Sequence, residues 1–211
     1  MWKRAKGFFD VVAYNGNGAS SRQITHALSV IPEMIWVKER YGSGTRNWNV
    51  YHKDNNGGTT PEGYFLKLNA TDAAATTSSW ADTAPTDSNF TVSNSSQVNY
   101  SSRGYTAFLF ATLDGISKVG SFTTTGSDVN VDCGFSNGAR FVFIKRTDGN
   151  AEWWFWDTLR GITAGNDSRM TLHTNGAAAS ANNIDPYSTG FTMKTNIIGP
   201  SGQNYIFYAI A

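Results

Sequence analysis

Apolar residues in this chain come in runs of four to eight, rich in Val, Ile, Phe, Tyr and Trp. Turn-forming residues interrupt them at Asn15-Gly16-Asn17-Gly18, Asn56-Gly57-Gly58, Asp148-Gly149 and Ser201-Gly202. Short apolar runs punctuated this way predict strands joined by turns. Asp148-Gly149, between Phe141 to Arg146 and Trp153 to Trp156, predicts a hairpin. No segment keeps a helical period over three turns. The best helical candidate, 70–77, is Ala-rich but short and carries Thr71, Thr76 and Thr77, which predicts a loop or a single turn.

The pattern occurs twice. Met34-Ile35-Trp36-Val37-Lys38-Glu39-Arg40 and Phe141-Val142-Phe143-Ile144-Lys145-Arg146 are both apolar strands ending in Lys and then Arg, with Lys38 and Lys145 107 residues apart. Gly18 answers to Gly126 at an offset of 108, Leu68 to Leu172 at 104, Phe90 to Phe191 at 101 and Tyr105 to Tyr205 at 100. Five blocks in one order, with an offset that shrinks steadily, fit a duplication with small loop deletions in the second copy. The chain therefore reads as all-β: two tandem, duplicated β-sandwich units of jelly-roll-like type, residues 1–112 and 113–211, with about six or seven strands each. Gly115 also answers to Gly7 and Phe110 to Trp2. Residues 1–6 then read as the remnant of an upstream repeat's last strand, and the chain as the C-terminal part of a longer array or a descendant of one.

An alternating strand hides one face and shows the other. Trp153-Trp154-Phe155-Trp156 aligns with Trp48-Asn49-Val50-Tyr51. One parity holds Trp48, Val50, Trp153 and Phe155 and reads as core. The other holds Asn49, Tyr51, Trp154 and Trp156, and the polar Asn49 marks it as the outward face. Outward Trp154 and Trp156 suit a subunit or repeat interface, a glycan-stacking platform or, with the parity reversed, the core itself. The expected buried set is Val12, Ile35, Val37, Trp48, Val50, Phe108 and Phe110 in the first copy. In the second it is Val119, Val142, Ile144, Trp153, Phe155, Tyr208 and Ile210.

Charged residues make up only 16% of the chain and aromatics 14%, which suits half-buried strands carrying uncharged polar groups. A net charge of +1 with no basic patch argues against nucleic acid as a partner, and Lys3, Arg4 and Lys6 read as a solvated terminus. The single cysteine, Cys133, excludes an intrachain disulfide and is expected to pack as a small apolar residue. No 18-residue apolar run is present, so no membrane span is expected, and no apolar stretch after Met1 to Lys6 reads as a secretory signal.

The chemistry-bearing residues form no familiar catalytic pattern. His26, His52 and His173 lack metal-ligand spacing, and there is no nucleophile elbow or phosphate loop. Asp72, Asp82, Asp87, Glu152 and Asp157 are the carboxylates from which a glycosidase pair would come. Asp82 and Asp87 lie in a Pro/Ser/Thr-rich loop and read as turn caps. Asp157, followed by Thr158-Leu159-Arg160, reads as a cap or as the ion partner of Arg160. The expectation is a non-enzyme with no cofactor and no metal.

Phe8-Phe9-Asp10-Val11-Val12-Ala13-Tyr14-Asn15-Gly16-Asn17-Gly18, His26-Ala27-Leu28, Pro32-Glu33-Met34-Ile35-Trp36-Val37-Lys38 and Trp48-Asn49-Val50-Tyr51-His52 together resemble a repeat of virion proteins from tailed marine bacteriophages and cyanophages. Leu68-Asn69 and the closing Tyr205-Ile206-Phe207-Tyr208-Ala209-Ile210-Ala211 fit too. Ala27 and Ser29 stand where the pattern has glycines, and the second copy keeps less of it. The resemblance implies a virion structural protein, first a tail-fibre or receptor-binding component, alternatively a capsid decoration or head-fibre protein or a carbohydrate-binding lectin module. Its implied partners are other virion proteins, its own copies (phage fibres are commonly trimeric) and a host surface glycan. The implied location is the particle surface, after synthesis in the host cytoplasm and release by lysis.

Overall fold

The computed structural model describes residues 3–42 and 46–211. Met1 and Trp2 lie outside the described residues, so the match of Trp2 to Phe110 does too. The chain is all-β and divides into two compact units. The first takes the chain up to Asn69 together with Ala74–Ala111; the second takes Ala70–Ala73 and Thr112–Ala211. The chain passes from the first unit to the second between Ala111 and Thr112, just before Leu113-Asp114-Gly115, but four residues of the first copy's sequence belong with the second unit.

The first unit holds β1 (Phe9–Asn15), β2 (Arg22–Thr25), β3 (Met34–Tyr41), β4 (Asn49–His52), β5 (Tyr64–Lys67), β6 (Ala75–Thr76), β7 (Asn89–Val92) and β8 (Gly104–Phe110). Six of these form an antiparallel sheet in the order β1-β8-β3-β4-β5-β6; β2 and β7 form the facing layer. Between the layers lie Ile35 and Val37 of β3, Tyr51 of β4, Ala107 and Leu109 of β8, and Ile24, Phe90 and Val92 of the small sheet. The segment 70–77 is not helical; it ends in β6.

The second unit holds β9 (Ser117–Thr123), β10 (Val129–Asp132), β11 (Phe141–Arg146), β12 (Trp154–Asp157), β13 (Asp167–Thr171), β14 (Ala179–Ala181), β15 (Ile184–Tyr187), β16 (Gly190–Met193), a one-turn helix α1 (Thr195–Ile198) and β17 (Asn204–Ile210). Its large sheet runs β14-β13-β12-β11-β17-β9 and its small one β10-β16-β15. Asp148 shapes the β11–β12 hairpin: its carboxylate accepts from Arg146 Nε at 2.6 Å and from the Asn204 amide at 3.0 Å.

The two copies match down to single hydrogen bonds. Glu39 pairs with Tyr105, and Arg146 with Tyr205, which places Lys38 and Lys145 at one position of the repeat. Tyr14 stacks on Tyr105 with ring centroids 5.4 Å apart, and Phe122 on Tyr205 at 5.3 Å. Gly18 and Gly126 both take a left-handed φ, and a β-carbon on either would meet the β-carbon of Ser101 or Ser201 respectively. The Ala5 amide bonds the Phe9 carbonyl as the Leu113 amide bonds that of Ser117. Residues 4–7 therefore stand to the first unit as 112–115 stand to the second.

Of the expected buried set, Ile35, Val37, Val50, Phe110, Val119, Val142, Ile144, Trp153 and Tyr208 are buried. Val12, Trp48, Phe108, Phe155 and Ile210 are half-buried. Several of these, among them Val50, Phe110, Trp153 and Tyr208, lie on the sheet face opposite the sandwich core. Both faces of the large sheets thus carry buried side chains.

Candidate functional site

The parity assigned to β4 and β12 has to be reversed. Trp156 pairs with Val142 and Trp154 with Ile144, so both indoles share a face with the second unit's core. Trp156 is fully buried and Trp154 is half-buried against that core. Trp154 Nε1 donates to Glu152 at 2.8 Å, and Arg169 covers its ring at 5.5 Å. Asn49 and Tyr51 take the equivalent inward positions and are buried as well. Asn49 does not mark solvent: its amide donates to the buried Ser79 hydroxyl at 3.2 Å, and a buried polar group that finds a partner is tolerated inside. The four residues form no common surface.

The structure offers two other features, the first with a counterpart in each copy and the second formed in the second unit. The first is an open cleft beside the turn that precedes each unit's first strand. In the first unit Arg4, Ala5, Lys6, Phe9, Asp10 and Ala27 line about 300 Å³. In the second, Thr112, Asp114, Gly115, Lys118, Asp132, Cys133 and Gly134 line about 380 Å³. At offsets of 107 to 108 the two linings share the positions Arg4/Thr112, Lys6/Asp114, Asp10/Lys118 and Ala27/Gly134, and Cys133 stands where the first copy has His26. Their electrostatics differ. Asp10 is buried, pairs with Arg4, and accepts from the amides of Val11 at 2.8 Å and Ala27 at 2.7 Å. Burial works to raise its pKa, but the Arg4 hydrogen bond and the two amides outweigh it and hold the carboxyl below its ordinary range. In the second unit Lys118 is half-exposed and Asp132 exposed. The Gly134 amide at 2.8 Å holds the Asp132 carboxyl below its ordinary range. Cys133 is a poor nucleophile: burial pushes its thiol up to about 12.

The second feature is a grip on a passing strap. Lys145, fully buried, donates to the Thr71 carbonyl at 2.9 Å and to the Ala151 carbonyl at 2.7 Å. The Ala151 amide bonds the same Thr71 carbonyl at 2.9 Å, and the Ala73 amide bonds Asn150 Oδ1 at 3.1 Å. This is how residues 70–73 come to belong to the second unit. Burial lowers the Lys145 pKa to about 8, against the opposing pull of Asp72. Both features were missed in the sequence. In the sequence the Lys-then-Arg strand ends read only as a repeat marker. A lysine recurring at the end of an apolar strand was the available signal for a buried grip.

Several other carboxylates are held in ion pairs. Asp157 pairs with Arg160 and accepts its amide at 3.0 Å. Buried Glu39 meets Arg103 at 2.8 Å, and Asp128 and Asp185 share Lys194 at 2.6 and 3.0 Å. Among the described residues no three of His, Cys, Asp and Glu come together as a metal site, and no helix is long and apolar enough to cross a membrane.

No curated protein and no solved structure matches the chain. The duplicated sandwich is instead matched nearly end to end, over residues 3–211, by one family, and the chain belongs to it: the family described as Domain of unknown function (DUF7483).

Proposed function

We propose that this chain is a structural protein of a tailed-phage particle, a tail-fibre or receptor-binding component that works by assembly and surface binding and not by catalysis. The observation that carries this reading is the gripped strap. A segment of one copy is gripped by the hairpin of the next through backbone carbonyls and a fully buried lysine. A repeat that takes in a segment of the preceding copy's sequence suits a tandem array. The resemblance of Tyr14-Asn15-Gly16-Asn17-Gly18 and Trp48-Asn49-Val50-Tyr51-His52 to virion repeats supplies the setting. The pairing of Asp157, Asp10, Glu39, Asp128 and Asp185 with cations supports binding over hydrolysis.

The test is to locate the chain. Mass spectrometry of gradient-purified particles is expected to find it in several copies per virion, and immunogold labelling is expected to mark the tail. Its absence from particles that form in the same lysate would overturn the proposal. Label on the head would move it to the decoration alternative.

The lectin alternative has one specific observation behind it. The second unit's cleft presents Thr112, Asp114, Lys118 and Asp132 at an open surface, a set able to bind sugar hydroxyls. A glycan-array signal that Asp132→Ala removes without changing the melting temperature is the expected result if that cleft reads the receptor.

A further inference from the structure

The strap contact has an unused half on each unit. Lys38 is the first copy's counterpart of Lys145, and its ammonium donates to the Arg46 carbonyl at 2.6 Å as Lys145 donates to that of Ala151. Lys145 has a second acceptor, Thr71, supplied by the preceding copy. Among the described residues Lys38 has only the Arg46 carbonyl. The second copy in turn has a strap that nothing grips among the described residues. The Leu68 amide bonds the Trp48 carbonyl and the Leu172 amide that of Trp153, both at 3.1 Å, so Leu68 and Leu172 are equivalent and residues 174–177 answer to 70–73. Ala70, Thr71 and Ala73 are half-buried, whereas Thr174, Asn175, Gly176 and Ala177 are all exposed. Leu172 at its base is 42% exposed, while Leu68 is buried.

We propose that a second copy of this chain completes both halves: Thr174 to Ala177 of one molecule lies beside Lys38 and Arg46 of the next, where Lys38 donates to the Asn175 carbonyl. The recognition uses a main-chain carbonyl, so the change from Thr71 to Asn175 leaves it intact. Strap and lysine are different surfaces, so the contact is heterologous and propagates head to tail into a row or a ring instead of stopping at a two-fold dimer. The partner follows from continuity with the contact already made inside the chain. The inference rests on the assembly reading and specifies its geometry.

Cross-linking tests it. The Ala151 amide and the Thr71 carbonyl are hydrogen-bonded at 2.9 Å, a main-chain spacing compatible with a disulfide. Thr71→Cys with Ala151→Cys therefore calibrates the internal contact, and Arg46→Cys with Asn175→Cys probes the same contact between molecules. The native Cys133 is buried and leaves a low background. Under mild oxidation the Arg46/Asn175 double variant is expected to give a reducible ladder of dimers, trimers and longer species. Each single variant should stop at dimer. Lys38→Met should weaken association, read by light scattering, about tenfold or more, the loss expected when a charged hydrogen-bond donor is removed. A chain that oligomerises without the ladder, and equally well as Lys38→Met, overturns this contact and leaves the assembly reading standing. A chain that stays monomeric at high concentration and gives no ladder overturns both.

Discussion

The two units fill the same sandwich from opposite sides. In the first, the β4 position facing the core is the small Asn49, and the missing volume comes from a loop: Trp80, fully buried, meets Tyr51 edge-on at 5.9 Å and bonds the Tyr64 carbonyl at 3.0 Å. In the second, β12 supplies Trp154 and Trp156, and the position of Trp80 is taken by Ile184. The equivalence follows from the Ser93 amide bonding Ser79 as the Lys194 amide bonds Asn183. Alanine at 107, beside Val12, stands at the repeat position of phenylalanine at 207, beside Gly120. Diverged copies thus exchange which strand or loop fills the core, as close packing requires.

The largest expected effect tests that exchange in the second unit. Trp156→Ala should cost about 3–5 kcal/mol in chemical denaturation, the range for a buried aromatic. Trp156→Phe should cost much less, because the indole N–H has no hydrogen-bond partner among the described residues. A cost under about 1 kcal/mol for the alanine variant would return Trp156 to the surface.

Next comes the loop side of the first unit. Trp80→Ile should destabilise by about 2–3 kcal/mol through the cavity it leaves. Adding Asn49→Phe should recover part of that loss, a coupling of roughly 0.5–3 kcal/mol in a double-mutant cycle. Strict additivity would show that the two positions do not share one space.

The twin clefts give the third contrast. Asp10→Asn should cost about 1–3 kcal/mol, since it weakens charge-assisted bonds from Arg4 and two amides in a buried setting. Lys118→Ala at the same repeat position should stay within about 0.5 kcal/mol, as an open surface change. The Asp10 pKa is depressed on folding, so its contribution is present above the ordinary carboxylate range and lost as pH falls through the folded value. Wild type and Asp10→Asn should therefore converge in acid.

The smallest effect concerns Lys145. Its pKa falls from 10.5 to about 8 on folding. Between those values the unfolded state binds the proton and the folded state has released it, so native stability rises with pH across that window. From pH 8 to 9 the gain over Lys145→Met should be about 1 kcal/mol. The comparison with the variant cancels Cys133, whose pKa rises on folding, to about 12, and which therefore favours the native state less as pH climbs past the unfolded thiol's range. No difference across that window would mean that the ammonium is not buried in solution.

Much of this was written in the chain. Runs of Val, Ile and aromatic residues between Gly and Asn turns predicted an all-β fold, because strand and turn chemistry is local. The repeat was legible because matched strands keep their order and spacing, and the pairing of Asp157 with Arg160 because the partners are three residues apart. What the sequence could not decide was which side of a strand is inside. Alternation assigns Trp154 and Trp156 to one face, but with both faces of the sheet buried, polarity does not separate them. Asn49 pointed the wrong way because its partner, Ser79, lies 30 residues along the chain and meets it only when the layers close. The Lys145 grip on Thr71 spans 74 residues. Such contacts have no local signature: an exposed and a buried lysine look alike until packing removes the water and leaves main-chain carbonyls to take its place.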